Sequence, residues 1–113
     1  MLSKINRLRK QKDFDHAFKT GRSSFNDILG IKVAKNDLAE QRIGIVINNK
    51  VSKKAVIRNR VRRRIREIIR LLLPNLQSGL DFLIICSPII KDKTYQEIEA
   101  AIVSNLKRLR VLK

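Results

Sequence analysis

The chain has 113 residues, 43% of them hydrophobic, with 26 Lys plus Arg against 10 Asp plus Glu and a formal net charge of +16. That length suits one domain, residues 1–113, with a core that needs no covalent or metal support, and a single cysteine and a single histidine exclude both an internal disulfide and a zinc site of the usual Cys/His kind. A fold that keeps so much like charge loses stability to self-repulsion, so the expected partner is a polyanion that releases counterions on binding, nucleic acid first.

In chain order, residues 1–12 carry Lys4, Arg7, Arg9, Lys10 and Lys12 with no acid. Asp13 is a good N-cap for a short helix through Phe14, Ala17 and Phe18, and Gly21 can take the left-handed stop conformation after it. Residues Ile28 to Lys35 and Arg42 to Asn48 are rich in Ile and Val and predict two strands, paired as an antiparallel hairpin across the polar turn Asn36 to Gln41. After the basic loop Lys50 to Lys54, the apolar positions Ile57, Val61, Ile65, Ile68 and Leu72 predict an amphipathic helix over 55–73, stopped by Pro74. Gly79 opens the apolar run Leu80 to Cys86, a buried strand closed by Pro88, in which Cys86 is expected to be a buried small residue. Thr94 and Glu97 have capping-box spacing and start a last helix that buries Tyr95, Ile98, Ile102, Leu106 and Leu109. No stretch is apolar enough to span a bilayer, and the N-terminus lacks the apolar core of a signal peptide, so a cytoplasmic location is expected.

The positive charge is concentrated. From Lys50 to Arg70 ten basic residues face one acid, Glu67. On a helical wheel of about 100° per residue, Val61, Ile65, Ile68 and Leu72 fall on one side, while Asn59, Arg62, Arg63, Arg66 and Arg70 fall on the other. A solvated helical face normally alternates the sign of its charges. Here like charges recur at i, i+4, as in Arg58 with Arg62 and Arg62 with Arg66, which favours a rigid array of guanidinium groups gripping phosphates. Phe14 and Phe18, one helical turn apart, belong either to the core or to a stacking platform for bases.

The segment Arg58-Asn59-Arg60-Val61-Arg62-Arg63-Arg64-Ile65-Arg66-Glu67 resembles the signature helix of the bacterial ribonuclease P protein family, Arg-Asn-Arg-x-Lys-Arg-x-x-Arg-Glu, with Arg62 in place of Lys. Arg42-Ile43-Gly44-Ile45, Ala55, Arg7-Leu8, Asp13-Phe14, Phe18 and Gly21 also match, so the resemblance covers residues 7 to 70. It implies an α+β fold, an α/β sandwich of helices on a four-stranded mixed sheet in the order αβββαβα, with a left-handed crossover carrying the signature helix. The strand not visible in the periodicity is placed near Val51. The resemblance further implies that the signature helix and its loop bind the catalytic RNA through Lys50, Lys53, Lys54, Arg58, Asn59, Arg60, Arg62, Arg63 and Arg66. A cleft between the first helix and the sheet would receive the 5′ leader of precursor tRNA, with Phe14 and Phe18 facing it. Two places depart from the pattern: Ile31, Lys32 and Val33 stand where relatives often carry a cleft aromatic, and Asn48-Asn49-Lys50 replaces a common Ser-Lys-Lys.

No constellation of residues here could hydrolyse a phosphodiester unaided, because His16 has no second histidine and Asp81, Asp92, Glu97 and Glu99 are scattered. Catalysis must therefore lie elsewhere, and the resemblance implies that it lies in the RNA subunit with its Mg2+ ions; the protein is expected to hold no metal, and the free protein to be a monomer. A non-enzymatic RNA-binding protein, such as a ribosomal protein, is the competing reading of the composition.

Overall fold

The structure, a computed structural model, describes residues 2–113. It contains α1 (Gln11–Thr20), β1 (Arg22–Phe25), β2 (Leu29–Lys35), β3 (Arg42–Val46), α2 (Ala55–Leu72), β4 (Leu80–Cys86) and α3 (Tyr95–Leu109), with short 3-10 turns between some of them. This is the αβββαβα order, three helices on a four-stranded mixed sheet.

The strands run in the spatial order β1-β2-β4-β3, with β1–β2 and β2–β4 antiparallel and β3–β4 parallel. The expected hairpin between the second and third strands therefore does not form. The strand β4 lies between them, because its sequence LDFLIIC is apolar on both faces and can be buried on both only in the middle of a sheet. The turn after β2 is tied to β4 instead: the Asn36 side-chain amide donates to Asp81 Oδ1 at 2.9 Å and to the Glu40 carbonyl at 3.1 Å. The fourth strand is not near Val51 but at Arg22–Phe25. That segment, RSSF, is a short polar edge strand with no apolar alternation to announce it. Val51 is instead fully buried in the turn before α2.

Two helix-end expectations are also corrected. The first helix starts with Lys10, not Asp13, at the N-cap, and no side chain caps it; the Asp13 carboxylate is engaged by Arg42 from β3 at 3.2 Å. Gly21 is extended, at φ −72 and ψ 143, rather than left-handed. Its role is close approach, since a Cβ there would stand 2.5 Å from the Ala17 carbonyl oxygen. The capping box of α3 forms as predicted, Thr94 Oγ1 accepting from the Glu97 amide at 3.1 Å and Glu97 Oε1 from the Thr94 amide at 3.0 Å.

Alternation along the strands divides the molecule into two layers. Leu29, Ile31 and Val33 of β2, Phe82 and Ile84 of β4 and Ile43 of β3 pack in one large cluster with Val61, Ile65 and Ile68 of α2 and Ile98, Ile102 and Leu106 of α3. On the opposite face a much smaller cluster, Leu8, Ala17, Ala34 and Leu83, gathers the partly buried Phe14, Val46 and Ile85. Because α1 is a single ten-residue helix, it leaves part of this face open.

Candidate nucleic-acid interface

Two surfaces meet at the edges of the open face. The first is built on α2, where burial of Val61, Ile65, Ile68 and Ile69 orients the helix and leaves its arginines outward. Arg62 and Arg66, one turn apart, line a pocket with Arg7, Arg9, Leu8 and Phe14. Arg7 is brought there because the N-terminal segment docks on the β3 edge, its residue bridged to Ile43 and the Leu8 amide donating to the Ile43 carbonyl at 2.9 Å. The pocket concentrates like charge: partial burial lowers the Arg66 pKa first, and the neighbouring Arg7 and Arg62 lower it further. An anion entering the pocket would relieve that repulsion.

The remaining sequence-predicted residues are placed as follows. Lys50, Lys53 and Lys54 are exposed in the turn leading into α2, and Asn59, Arg60 and Arg63 are exposed on the helix. Arg58 is half-buried and donates to the Ser52 carbonyl at 2.9 Å, bracing that turn. Asn59 accepts from Arg62 Nη1 at 3.0 Å. Arg60, two positions before Arg62, points to the far side of the helix, so the nine residues do not form one flat patch. Among the described residues no ion pair involves Arg58, Arg60, Arg62, Arg63 or Arg66. Arg70, by contrast, is neutralised by Glu67 at 2.7 Å.

The second surface is the cleft between α1 and the sheet. Phe14 and Phe18 share a helical face but not an environment. The ring of Phe14 rests on Gly44 of β3, where an added Cβ would come within 2.7 Å of its Cε1, and it packs with the small cluster. Phe18 is 41% exposed. The Lys32 ammonium lies 5.6 Å from its ring centroid and donates to the Phe18 carbonyl at 2.9 Å, which holds the end of α1 against β2. Of the three β2 residues at the family's aromatic position, Ile31 and Val33 are buried against α2 and α3, and Lys32 faces the cleft.

The wall of this cleft is set by an ion-pair network. Arg42 donates through Nε and Nη2 to the two oxygens of Asp81, both at 2.8 Å, and through Nη1 to Asp13 of α1. Asp81 is 1% exposed, and its bidentate hydrogen bond is the main reason the Arg42 pKa is raised. The helix is thereby pinned to the strand edge. Reading the chain alone misses Arg7 and Arg9 as partners of the α2 ridge, although the acid-free N-terminal charge run hinted at them. Which of Ile31, Lys32 and Val33 faces the cleft depends on strand register, which the sequence does not display.

Among the described residues no three of His, Cys, Asp and Glu lie close enough to hold a metal ion, and no helix is long and apolar enough to cross a membrane. Cys86 is buried, and burial pushes its thiol up to about 12.

The ribonuclease P family model matches residues 2–110. A ribonuclease P protein component from Clostridium botulinum is 39% identical over 106 residues, covering 93% of this chain and 95% of the relative; one from Alkaliphilus metalliredigens is 34% identical over 107 residues, covering 95% and 96%. The solved structure of the Staphylococcus aureus RNase P protein superposes with a TM-score of 0.87 at 28% identity, covering 96% of this chain and 98% of that one. That of Thermotoga maritima gives 0.78 at 28% identity, covering 87% and 92%. By sequence and by fold alike, this chain belongs to the ribonuclease P protein family.

Proposed function

We propose that the chain is the protein subunit of a bacterial ribonuclease P, binding the catalytic RNA through the α2 ridge and holding the 5′ leader of precursor tRNA in the cleft beside α1. Family membership makes it a component of an RNA-processing ribonucleoprotein, and nothing in the comparisons supports the ribosomal-protein alternative. The observation that carries the assignment of surfaces is the juxtaposition of unpaired arginines on α2 with a half-covered sheet face displaying Phe18 and Lys32. Guanidinium groups held by a packed helix bind phosphates without first losing side-chain freedom to a competing carboxylate. An exposed ring under an ammonium offers a stacking surface and a phosphate counter-charge in one place.

Among the described residues no cluster of His, Cys, Asp and Glu could hold a metal ion, and in this reading the chemistry belongs to the RNA and its Mg2+ ions. The protein supplies positive potential between two polyanions, which lowers their repulsion and so the Mg2+ needed to bring them together. The free subunit is a monomer and acts in the cytoplasm in this reading. Reconstitution tests the whole: protein plus ribonuclease P RNA should remove the leader from precursor tRNA at Mg2+ concentrations where the RNA alone is slow, and RNA-free protein should not cleave. Cleavage by purified protein without RNA, abolished by substituting a carboxylate such as Asp92, would overturn it.

A further inference from the structure

Past the proposed leader cleft, a further aromatic is left open by its position on the sheet. Phe25 ends the edge strand β1 and is 50% exposed. It pairs with Gly30 of β2, and its ring lies over that glycine, so closely that a Cβ at Gly30 would stand 2.0 Å from Cδ2 and 2.1 Å from Cε2 of the ring. The ring is therefore laid on the sheet, one side covered and the other turned to solvent. Gly30 and Lys32 lie on the same side of β2, two residues and about 7 Å apart. The Phe25 ring thus lies on the same side of the sheet as Lys32, two residue pairs along the β1–β2 ladder and on the edge strand.

Beyond that edge the surface is cationic. Arg108 of α3 reaches across to donate to the Phe25 carbonyl at 3.2 Å and to Ser104 Oγ at 3.3 Å. Arg108 lines a shallow groove with Lys107 and Ser104, and Arg22 stands on the same strand, donating to the Leu109 carbonyl at 3.0 Å. Among the described residues none of Arg22, Lys107 and Arg108 has an acidic partner. Along β1 and its turn Asp27 is the one acid, and from Ser104 to the C-terminus there is none. A flat exposed ring flanked by unpaired cations is the combination that binds single-stranded nucleic acid without sequence preference.

We infer that single-stranded leader RNA runs past the cleft, stacks a base on Phe25, and crosses the β1 edge to place phosphates on Arg108 and Lys107. This extension rests on the cleft reading given above, and its test separates the two. Holoenzyme reconstituted with ribonuclease P RNA is titrated with precursor tRNAs whose leaders are shortened one nucleotide at a time. Phe25→Leu keeps an apolar cover on Gly30 while removing the flat ring, so folding is preserved. It should weaken long-leader substrates about tenfold and leave short-leader substrates unchanged. Phe25→Tyr should bind like the parent, and Arg108→Ala with Lys107→Ala should reduce the salt dependence for long leaders alone. If Phe18→Ala weakens leader substrates while Phe25→Leu has no effect at any length, the track ends in the cleft and the extension is wrong. If Phe18→Ala has no effect either, the cleft reading itself fails.

Discussion

The two faces of the sheet are made from the same strands yet are held by different physics. The face under α2 and α3 is a dense apolar layer in which Phe82, Ile84, Ile65 and Ile102 are fully buried. Its one buried polar side chain on those helices, Asn105, is satisfied, donating to the Leu29 carbonyl and accepting from Ser24. The face under α1 has few buried side chains and relies on the Asp13–Arg42–Asp81 network for its geometry. Its glycines, Gly30 and Gly44, seat aromatic rings rather than filling a core. One face stores stability, while the other leaves aromatic surface, Phe18 and Phe25, exposed.

Substitutions should separate the faces, and the largest effect is expected on the packed one. Ile84→Ala should cost about 2–5 kcal/mol through the cavity it leaves, read as a loss of thermal or denaturant stability. Phe18→Ala should cost only about 1–2 kcal/mol of stability, because a large part of the residue is already in water, yet should weaken precursor tRNA binding by about 1–3 kcal/mol. Mature tRNA, which has no leader, should bind the two holoenzymes equally. A large stability loss with equal weakening of both RNAs would place Phe18 in the core and erase the contrast.

Between those extremes lies the network that joins α1 to the sheet. Arg42→Ala leaves the buried Asp81 carboxylate with the Asn36 amide as its remaining side-chain partner, a loss of about 2–3 kcal/mol, below the range for a fully buried pair because Arg42 is partly exposed, whereas Asp13→Asn keeps the Arg42–Asp81 pair and should lower stability little. If α1 is positioned by this network, Asp13→Asn should still weaken leader binding while affinity for the ribonuclease P RNA is unchanged.

For the α2 ridge the expected change is in salt dependence. Log affinity for the RNA should fall linearly with log salt, and Arg62→Ala together with Arg66→Ala should flatten the slope by about 0.7–0.9 per lost phosphate contact. An unchanged slope with the fold intact would move the RNA footprint off the pocket shared with Arg7 and Arg9.

The last effect is confined to alkaline pH and concerns Cys86 on the packed face. Its buried thiol is held near 12, while an unfolded thiol ionises near ~8.5, so only the unfolded state gains by ionising between those values. The stability it contributes is full below about pH 8.5 and is lost as pH rises toward 12. Thiol reagents should accordingly label Cys86 only as fast as the protein opens. Rapid labelling of the native protein would mean that this face is less tightly closed than its burial indicates.

Much of this was legible along the chain. The α2 and α3 stripes, the capping box at Thr94 and the buried run Leu80 to Cys86 follow from local periodicity, because an amphipathic helix or a doubly buried strand carries its environment in its spacing. The signature helix and its unbalanced arginines were equally readable, since charge without a local partner is a property of sequence. Strand neighbours were not legible: Arg42–Val46 lies beside β4 and not beside β2, and Arg22–Phe25 is a strand only because β2 offers it an edge. For the same reason the divergent fates of Phe14 and Phe18, the seat of Phe25 on Gly30 and the capture of Asp13 by Arg42 belong to the tertiary structure. Each depends on which strand lies opposite, and that is decided by the global burial of β4, a non-local free energy that no window of sequence contains.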